Sequence, residues 1–170
     1  MYKLEVFFDY ICPHCLRGHE YLTELQQRFP DLEIEWRPCE AHPRPEQSSR
    51  HSDLCARGMF FALDHNTNLA EYHKRMYHAA LTDLVEIEDI NAIIGVTDGL
   101  LDQIKLREAL SGNQYKDRLL ENNRLVWDEY KCPAVPSYRM NGKLLKSKLG
   151  IGVSKEQLAH FIEQNHKSTS

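Results

Sequence analysis

The 170-residue sequence has no long hydrophobic run, because charged side chains interrupt every apolar stretch after a few positions. A membrane-spanning helix needs about 18 or more consecutive apolar residues. Residues 1–9 also place acidic side chains where a secretory signal would have its apolar core. We therefore expect a soluble, cytoplasmic protein that has no membrane as a partner.

Basic residues are not in excess. The sequence has 21 Lys and Arg residues against 25 Asp and Glu residues, which gives a formal charge of −4. A surplus of positive charge is what draws a protein to a polyanion. The charge balance therefore argues against a nucleic acid as a partner.

Cysteine is scarce and irregularly spaced. The five cysteines are Cys12, Cys15, Cys39, Cys55 and Cys132. They are too few for the disulfide framework of a small secreted domain, and their odd number leaves at least one thiol free. In a reducing compartment, a close pair such as Cys12 and Cys15 is typical of redox chemistry or of metal binding.

The first part of the chain has the pattern of a strand, a helix and a second strand. Residues 3–8 alternate apolar side chains and are rich in aromatic and β-branched types, which predicts a strand. Residues 12–29 carry one helical stripe of small and apolar side chains that stops before Pro30. Residues 32–37 alternate again and predict the second strand.

The middle of the chain is predicted to be helical. Residues 38–52 are rich in proline and serine and have no periodicity, so we expect a loop. Residues 53–130 have a helical pattern almost throughout, with breaks near 66–68 and 111–113. We expect no strand within this helical block.

The end of the chain predicts a hairpin and a closing helix. Asn141-Gly142 suits a type I′ turn between strands at 137–140 and 143–148. Ser154 is a good N-cap for a final amphipathic helix. The predicted order is β-α-β, a helical block, then β-β-α, and a chain of this length suits one domain, residues 1–170.

The segment Cys12-Pro13-His14-Cys15 is the most specific chemical signal in the sequence. Cys12 lies where the first strand leads into the helix, and the unpaired N–H groups of a first helical turn favour a thiolate. Pro13 suits the first helical position, because its missing N–H would have no partner there. His14 would stabilise the anion further when it is protonated or donates from a ring nitrogen.

Position along this helix assigns a role to each cysteine. Cys12 lies at the open end and can reach a substrate sulfur. Cys15 shares the apolar stripe with Gly18 and Leu22 and should be buried. We therefore expect Cys12 to attack and Cys15 to resolve the mixed disulfide.

Metal binding is an alternative for the same residues. Cys12 and Cys15 could join Cys39 and His42 in a zinc site with three cysteines and one histidine. The chain would then be a zinc-binding domain without catalytic activity.

Three segments resemble a known family. Asp9-Tyr-Ile-Cys-Pro-His-Cys15 resembles the active-site motif of the DsbA-like thioredoxin-fold oxidoreductases, and residues 36–43 resemble the FrnE-like branch. Residues 134–143 are similar to the family's loop before the third strand, where a cis proline faces the cysteine pair. The resemblance covers both ends of the chain and the order of its elements.

The resemblance implies an α/β fold with a thioredoxin-like core, formed by residues 1–50 and 131–170 and interrupted by an all-helical insertion at 51–130. It implies thiol-disulfide exchange, with protein or low-molecular-weight thiols and disulfides as partners. The redox-active disulfide would replace any cofactor, with glutathione as a candidate co-substrate. We expect the substrate to contact Val135, Pro136 and Pro13, and the Val135–Pro136 bond to be cis.

Two residues depart from the pattern of this family. Val6 stands six residues before Cys12, where related proteins often have a buried carboxylate. Cys39 stands where the FrnE-like pattern tends to have an aromatic side chain, which suggests a third thiol near the site.

A second alternative comes from proteins similar to the same branch. Glutathione S-transferase kappa and the hydroxychromene-carboxylate isomerases place a serine where this chain has Cys12. A glutathione-dependent transferase or isomerase is therefore the other enzymatic hypothesis, and the intact pair of cysteines favours redox chemistry over it.

Overall fold

The structure, a computed structural model, describes residues 2–47 and 49–167. It divides into two compact units. The first combines the chain up to Phe8, Cys12–Arg37 and the chain from Arg124 onward, and the second combines Asp9–Ile11 and Pro38–Asn123.

The longer stretch of the second unit runs from Pro38 to Asn123, whereas the predicted insertion is 51–130. Hydrogen bonds tie the loop after the second strand to the end of the helical block. The amide of Asn122 donates to the Pro38 carbonyl oxygen at 3.0 Å, and the Glu40 N–H donates to Asn123 Oδ1 at 2.7 Å. The loop therefore packs with the helices that follow it in sequence.

The first unit contains a four-stranded sheet. Its strands are β1 (Tyr2–Phe8), β2 (Leu32–Pro38), β3 (Ser137–Met140) and β4 (Lys143–Leu145), in the order β2-β1-β3-β4. Strands β1 and β3 are antiparallel, and Val6 lies directly opposite Tyr138. The α-helices of the same unit are α1 (Pro13–Arg28) and α7 (Lys155–Lys167). The mixed α/β fold and the predicted order of elements are confirmed.

Helices α1 and α7 begin where the sequence predicts. The buried face of α1 consists of Cys15, Gly18, Leu22 and Leu25, which is the predicted stripe. At α7, the Gln157 N–H donates to Ser154 Oγ at 3.1 Å and the Ser154 N–H donates to Gln157 Oε1 at 2.9 Å. This reciprocal pair is a capping box, which fixes the start of the helix.

The hairpin turn also matches its prediction. Asn141 and Gly142 have φ angles of 51° and 76°, as a type I′ turn requires. Strand β4 ends at Leu145 and not at the predicted residue 148. The reason is a side-chain contact, because the Ser147 N–H donates to Ser137 Oγ at 3.0 Å.

The described residues between β2 and β3 contain helices and no strand. The α-helices are α2 (Asp53–Asp64), α3 (Leu69–Tyr77), α4 (Ile90–Val96), α5 (Gln103–Ser111) and α6 (Lys116–Asn123). Two π-helical segments follow α3 and α6, at His78–Thr82 and Arg124–Glu129. None of the described helices combines the length and apolar character that crossing a bilayer requires.

A buried arginine holds the second unit together at the end of α5. Arg57 is 2% exposed. Its guanidinium donates to the carbonyl oxygens of Gln114, Ala109 and Gly112 at 2.9, 3.0 and 2.9 Å. These carbonyl groups lie at and beyond a helix C-terminus, where no intrahelical donor remains.

Candidate active site

Cys12 is the N-cap of α1, as predicted. Its backbone is extended, with φ −104° and ψ 114°, and Pro13 occupies the first turn of the helix. The Cys12 carbonyl oxygen accepts the N–H groups of Cys15 and Leu16 at 3.0 and 3.2 Å. The Cys12 side chain therefore stands at the positive end of the helix dipole, which favours a thiolate.

The two cysteines of the motif differ in exposure. Cys12 is half-buried and Cys15 is 2% exposed, and neither is joined in a disulfide. This difference is compatible with the expected assignment, in which Cys12 attacks the substrate and the buried Cys15 resolves the mixed disulfide. The chemical roles themselves stay predictions.

Val135 lies beside Cys12. The Cys12 thiol donates to the Val135 carbonyl oxygen at a distance of 3.6 Å, and the Val135–Pro136 bond is cis, as expected. The structure therefore brings the loop before β3 to the motif at the start of α1. A chain that paired with the Val135 backbone would be within reach of the Cys12 sulfur.

His14 packs against the segment between β4 and α7. Gly152 has a φ of +79°, and a Cβ built on it would lie 3.1 Å from His14 Nδ1. The same segment carries two exposed apolar side chains, Leu149 and Ile151, which are 77% and 72% exposed. An apolar surface therefore lies next to the motif, and no pattern in the sequence indicated it.

Gly18 and Tyr138 form a close approach between α1 and β3. A Cβ on Gly18 would lie 2.5 Å from Tyr138 Oη and 3.3 Å from Pro136 Cγ. Burial raises the pKa of Tyr138, and the nearby Cys15 and Cys12 raise it further. Sequence reasoning missed Tyr138, although it follows Pro136 by two residues, a spacing that places strand side chains on one face.

Asp9 anchors the segment that leads to Cys12. Within the second unit, its carboxylate accepts the Ile11 N–H at 3.2 Å and the Ala41 N–H at 3.0 Å. Asp9 is 1% exposed, and this burial raises its pKa. Its hydrogen bonds fix the backbone just before the motif.

The other three cysteines are buried. Cys39, Cys55 and Cys132 are 1%, 0% and 5% exposed. Burial raises the pKa of both Cys55 and Cys132, which makes their thiols poor nucleophiles. Exchange between Cys39 and the motif stays a prediction.

The zinc alternative requires four ligands in one cluster. Among residues 2–47 and 49–167, no three side chains of His, Cys, Asp or Glu are arranged to hold a metal ion. The zinc site of Cys12, Cys15, Cys39 and His42 stays a hypothesis.

Comparison with known proteins gives relatives of low identity and high structural similarity. YwbO of Bacillus subtilis (strain 168), described as uncharacterized, is 22% identical over 192 residues, which cover 92% of this chain and 95% of YwbO. The probable DsbA oxidoreductase of Streptomyces coelicolor is similar with a TM-score of 0.83 at 14% identity, over 100% of this chain and 92% of that one. DsbA of Pseudomonas aeruginosa is similar with a TM-score of 0.73 at 16% identity, over 99% of this chain and 85% of that one.

These structural similarities establish the fold, and a family model establishes the family. The model of the DSBA-like thioredoxin domain matches residues 3–163. The match covers nearly the whole chain and agrees with the resemblance to the DsbA-like family. The chain therefore belongs to the family of DSBA-like thioredoxin domains.

Proposed function

We propose that this protein is a thiol-disulfide oxidoreductase that works through Cys12 and Cys15. One observation carries the proposal: a half-buried thiol at a helix N-terminus lies 3.6 Å from the Val135 carbonyl oxygen, and a second thiol is buried one turn later. The first thiol can form a mixed disulfide, and the second can release it. Membership of the DSBA-like family supports this proposal.

The first step is attack by the Cys12 thiolate on a substrate disulfide. A bond forms between the Cys12 sulfur and one substrate sulfur, and the other substrate sulfur leaves as a thiolate. In the second step the Cys15 sulfur bonds to the Cys12 sulfur, and the remaining substrate sulfur is released as a thiol. The enzyme pair becomes a disulfide, and the substrate disulfide becomes two thiols.

Polypeptides fit the surroundings of Cys12 better than small thiols do. The Val135 backbone can pair with an extended chain, as in the addition of a strand to a sheet. The exposed Leu149 and Ile151 offer an apolar surface beside His14. Protein disulfides are therefore the proposed substrates, and a low-molecular-weight thiol such as glutathione is the proposed co-substrate that reduces the enzyme again.

The proposed compartment is the cytoplasm, where a glutathione pool holds exchangeable pairs in the dithiol form. An N-terminal position on a helix stabilises the Cys12 thiolate, and a stabilised thiolate makes the disulfide form easier to reduce. The equilibrium with glutathione measures this property directly. A pair that stays a disulfide at the cytoplasmic ratio of glutathione to its disulfide would contradict the proposed compartment.

Single substitutions of the two cysteines test the mechanism. We expect Cys12→Ser to abolish the reduction of insulin and the repair of scrambled disulfides. Cys15→Ser should instead accumulate a mixed disulfide with the substrate at Cys12, because the resolving thiol is absent. Mass spectrometry of protein trapped with a peptide disulfide identifies the attached cysteine.

Cys55→Ala is the matched control, because Cys55 is fully buried in the other unit. We expect this variant to keep the exchange activity. Activity retained in Cys12→Ser, or a mixed disulfide at another cysteine, would contradict the proposed function. Isomerisation of a substrate through its glutathione adduct, without any thiol-disulfide exchange, would favour the glutathione-dependent transferase or isomerase.

A further inference from the structure

The hydroxyl group of Tyr138 is buried without a hydrogen-bond partner among the described residues. Tyr138 is 0% exposed. A buried hydroxyl loses its bonds to water and needs a protein partner to replace them. Phenylalanine would fill nearly the same space without this cost, so the oxygen of Tyr138 requires an explanation.

The position of Tyr138 points to the motif. In the sheet it lies opposite Val6 on β1 and Leu145 on β4, both apolar. Its hydroxyl faces Gly18 on α1, where a Cβ would lie only 2.5 Å away. Gly18 is one turn after Cys15 on the same buried face of the helix. The absent side chain at Gly18 therefore lets the hydroxyl approach α1 one turn after Cys15.

Cys15 needs a hydrogen-bond donor when it reacts. It is 2% exposed, and burial disfavours the thiolate that attacks the mixed disulfide. A tyrosine hydroxyl can donate one hydrogen bond to an anion.

Tyr138 keeps its own proton under these conditions. Burial raises its pKa most, and Cys15, Cys12 and Tyr21 raise it further. The titratable groups that act on the hydroxyl are thus the two thiols at the start of α1 and the half-buried Tyr21 in the middle of that helix. Tyr138 therefore remains a donor and does not act as a base.

We propose that Tyr138 donates a hydrogen bond to the Cys15 sulfur as that sulfur gains negative charge in the resolving step. This inference rests on the proposed function. In this step the Cys15 thiol loses its proton to the departing substrate thiolate, the Cys15 sulfur bonds to the Cys12 sulfur, and the bond between Cys12 and the substrate breaks. The Tyr138 proton stays on its oxygen throughout. The hydroxyl therefore lowers the energy of the step and transfers neither a proton nor electrons.

Tyr138→Phe removes only the oxygen and tests the proposal in two ways. Stopped-flow measurement with a fluorescent disulfide separates the attack by Cys12 from the release of the mixed disulfide. We expect release to slow about tenfold, which corresponds to one pKa unit at Cys15, and attack to keep its rate. Tyr21→Phe is the matched control and should change neither rate.

The second measurement does not depend on exchange activity. In a Cys12→Ser background, the ultraviolet absorbance of the thiolate follows the ionisation of Cys15 with pH. We expect the added Tyr138→Phe substitution to move this titration upward by about one unit. Thermal unfolding should show equal or greater stability, because the substitution removes an unpaired buried hydroxyl.

The two measurements have distinguishable outcomes. An unchanged Cys15 titration together with an unchanged release rate would overturn the role of Tyr138 and leave the proposed function intact. A shifted titration in a protein that exchanges no disulfides would overturn the proposed function and keep the hydrogen bond. Slower attack with unchanged release would contradict the assignment of Tyr138 to the resolving step.

Discussion

The Cys12 thiol donates a hydrogen bond to the carbonyl oxygen of Val135. Once the Cys12 sulfur is bonded to a substrate sulfur it has no proton to donate, and the carbonyl can accept an N–H group of the substrate. Before a substrate binds, the Cys12 thiol therefore occupies the position that a substrate N–H group would take.

A peptide substrate tests this exchange of donors. We expect N-methylation of the one peptide nitrogen that pairs with Val135 to lower kcat/KM about two- to tenfold, because a backbone hydrogen bond contributes about 0.5–1.5 kcal/mol. Steady-state kinetics on a series of peptide disulfides, each methylated at one position, locates that nitrogen. Methylation at the neighbouring positions is the control. Equal rates across the series would show that the substrate does not pair with Val135.

The apolar surface beside His14 gives a second prediction. Replacing Leu149 and Ile151 together by serine should lower kcat/KM about tenfold for peptides with apolar residues near the disulfide, since burying apolar side chains stabilises a complex. The rate with glutathione disulfide should not change. Leu120→Ser, which alters a side chain that is 60% exposed on α6, is the matched control. An equal loss for both kinds of substrate would contradict a docking role.

Gly18 gives a prediction about stability. We expect Gly18→Ala to lower the free energy of unfolding by about 1–3 kcal/mol, because its Cβ would overlap the buried Tyr138 hydroxyl. Gly95→Ala is the matched control, since a Cβ on that exposed helical glycine meets nothing within 4 Å. Helix propensity alone predicts that Gly95→Ala raises the free energy of unfolding by up to about 1 kcal/mol. Urea denaturation measures both, and equal effects would contradict the close approach.

Arg57 should contribute strongly to the stability of the second unit. We expect Arg57→Met to lower the free energy of unfolding by about 3 kcal/mol, because several carbonyl oxygens lose a charged donor at once. Arg118→Met is the control and should cost less than about 1 kcal/mol, because its ion pair with Asp64 is exposed. Urea denaturation that finds equal losses would show that burial adds nothing to these bonds.

His51 makes two contacts that need a protonated ring. Its Nδ1 lies 2.6 Å from Glu88 Oε1, and its Nε2 lies 2.5 Å from the Glu46 carbonyl oxygen. The Glu88 hydrogen bond and then the Glu46 carbonyl raise the pKa of His51 above its ordinary value of 6.5. The same hydrogen bond lowers the pKa of Glu88 below its ordinary value of 4.5.

These shifts set the pH range in which the pair stabilises the fold. The His51 contribution is complete below pH 6.5 and is lost as the pH rises through the folded-state pKa. The Glu88 contribution is present above pH 4.5 and is lost as the pH falls. We expect wild type to exceed His51→Gln in thermal stability most at about pH 5–6, with His160→Gln as an exposed control. A difference that is constant up to pH 8 would contradict this linkage.

Local signals in the sequence predicted the local structure. Cys12 and Pro13 marked the start of α1, Asn141-Gly142 marked the hairpin turn, and Ser154 marked the start of α7. Each of these features is confirmed because a few neighbouring residues determine it. The family resemblance, and not any local pattern, predicted the cis bond before Pro136.

Features that depend on distant residues escaped prediction. The approach of Tyr138 to Gly18 joins residues far apart in the chain, and no periodicity reports which helix faces a given strand. The last turn of α6 buries Asn122, and the chain then continues as a π-helical segment. A π-helical segment shifts the faces of a helix, and a stripe counted with α-helical spacing misses that shift.

The pairing of β1 with β3 has a consequence for the order in which the chain can fold. The two strands are linked by the ion pair of Glu5 with Arg139, residues 134 positions apart. During synthesis, the helices up to Asn123 leave the ribosome before β3 is made. One edge of β1 therefore stays unpaired until β3 is synthesised. An unpaired strand edge is a template for aggregation, and pairing over such a separation is slow. A chain that stalls shortly before Ser137 would therefore be a target for chaperones, even though its helical unit is already fully synthesised.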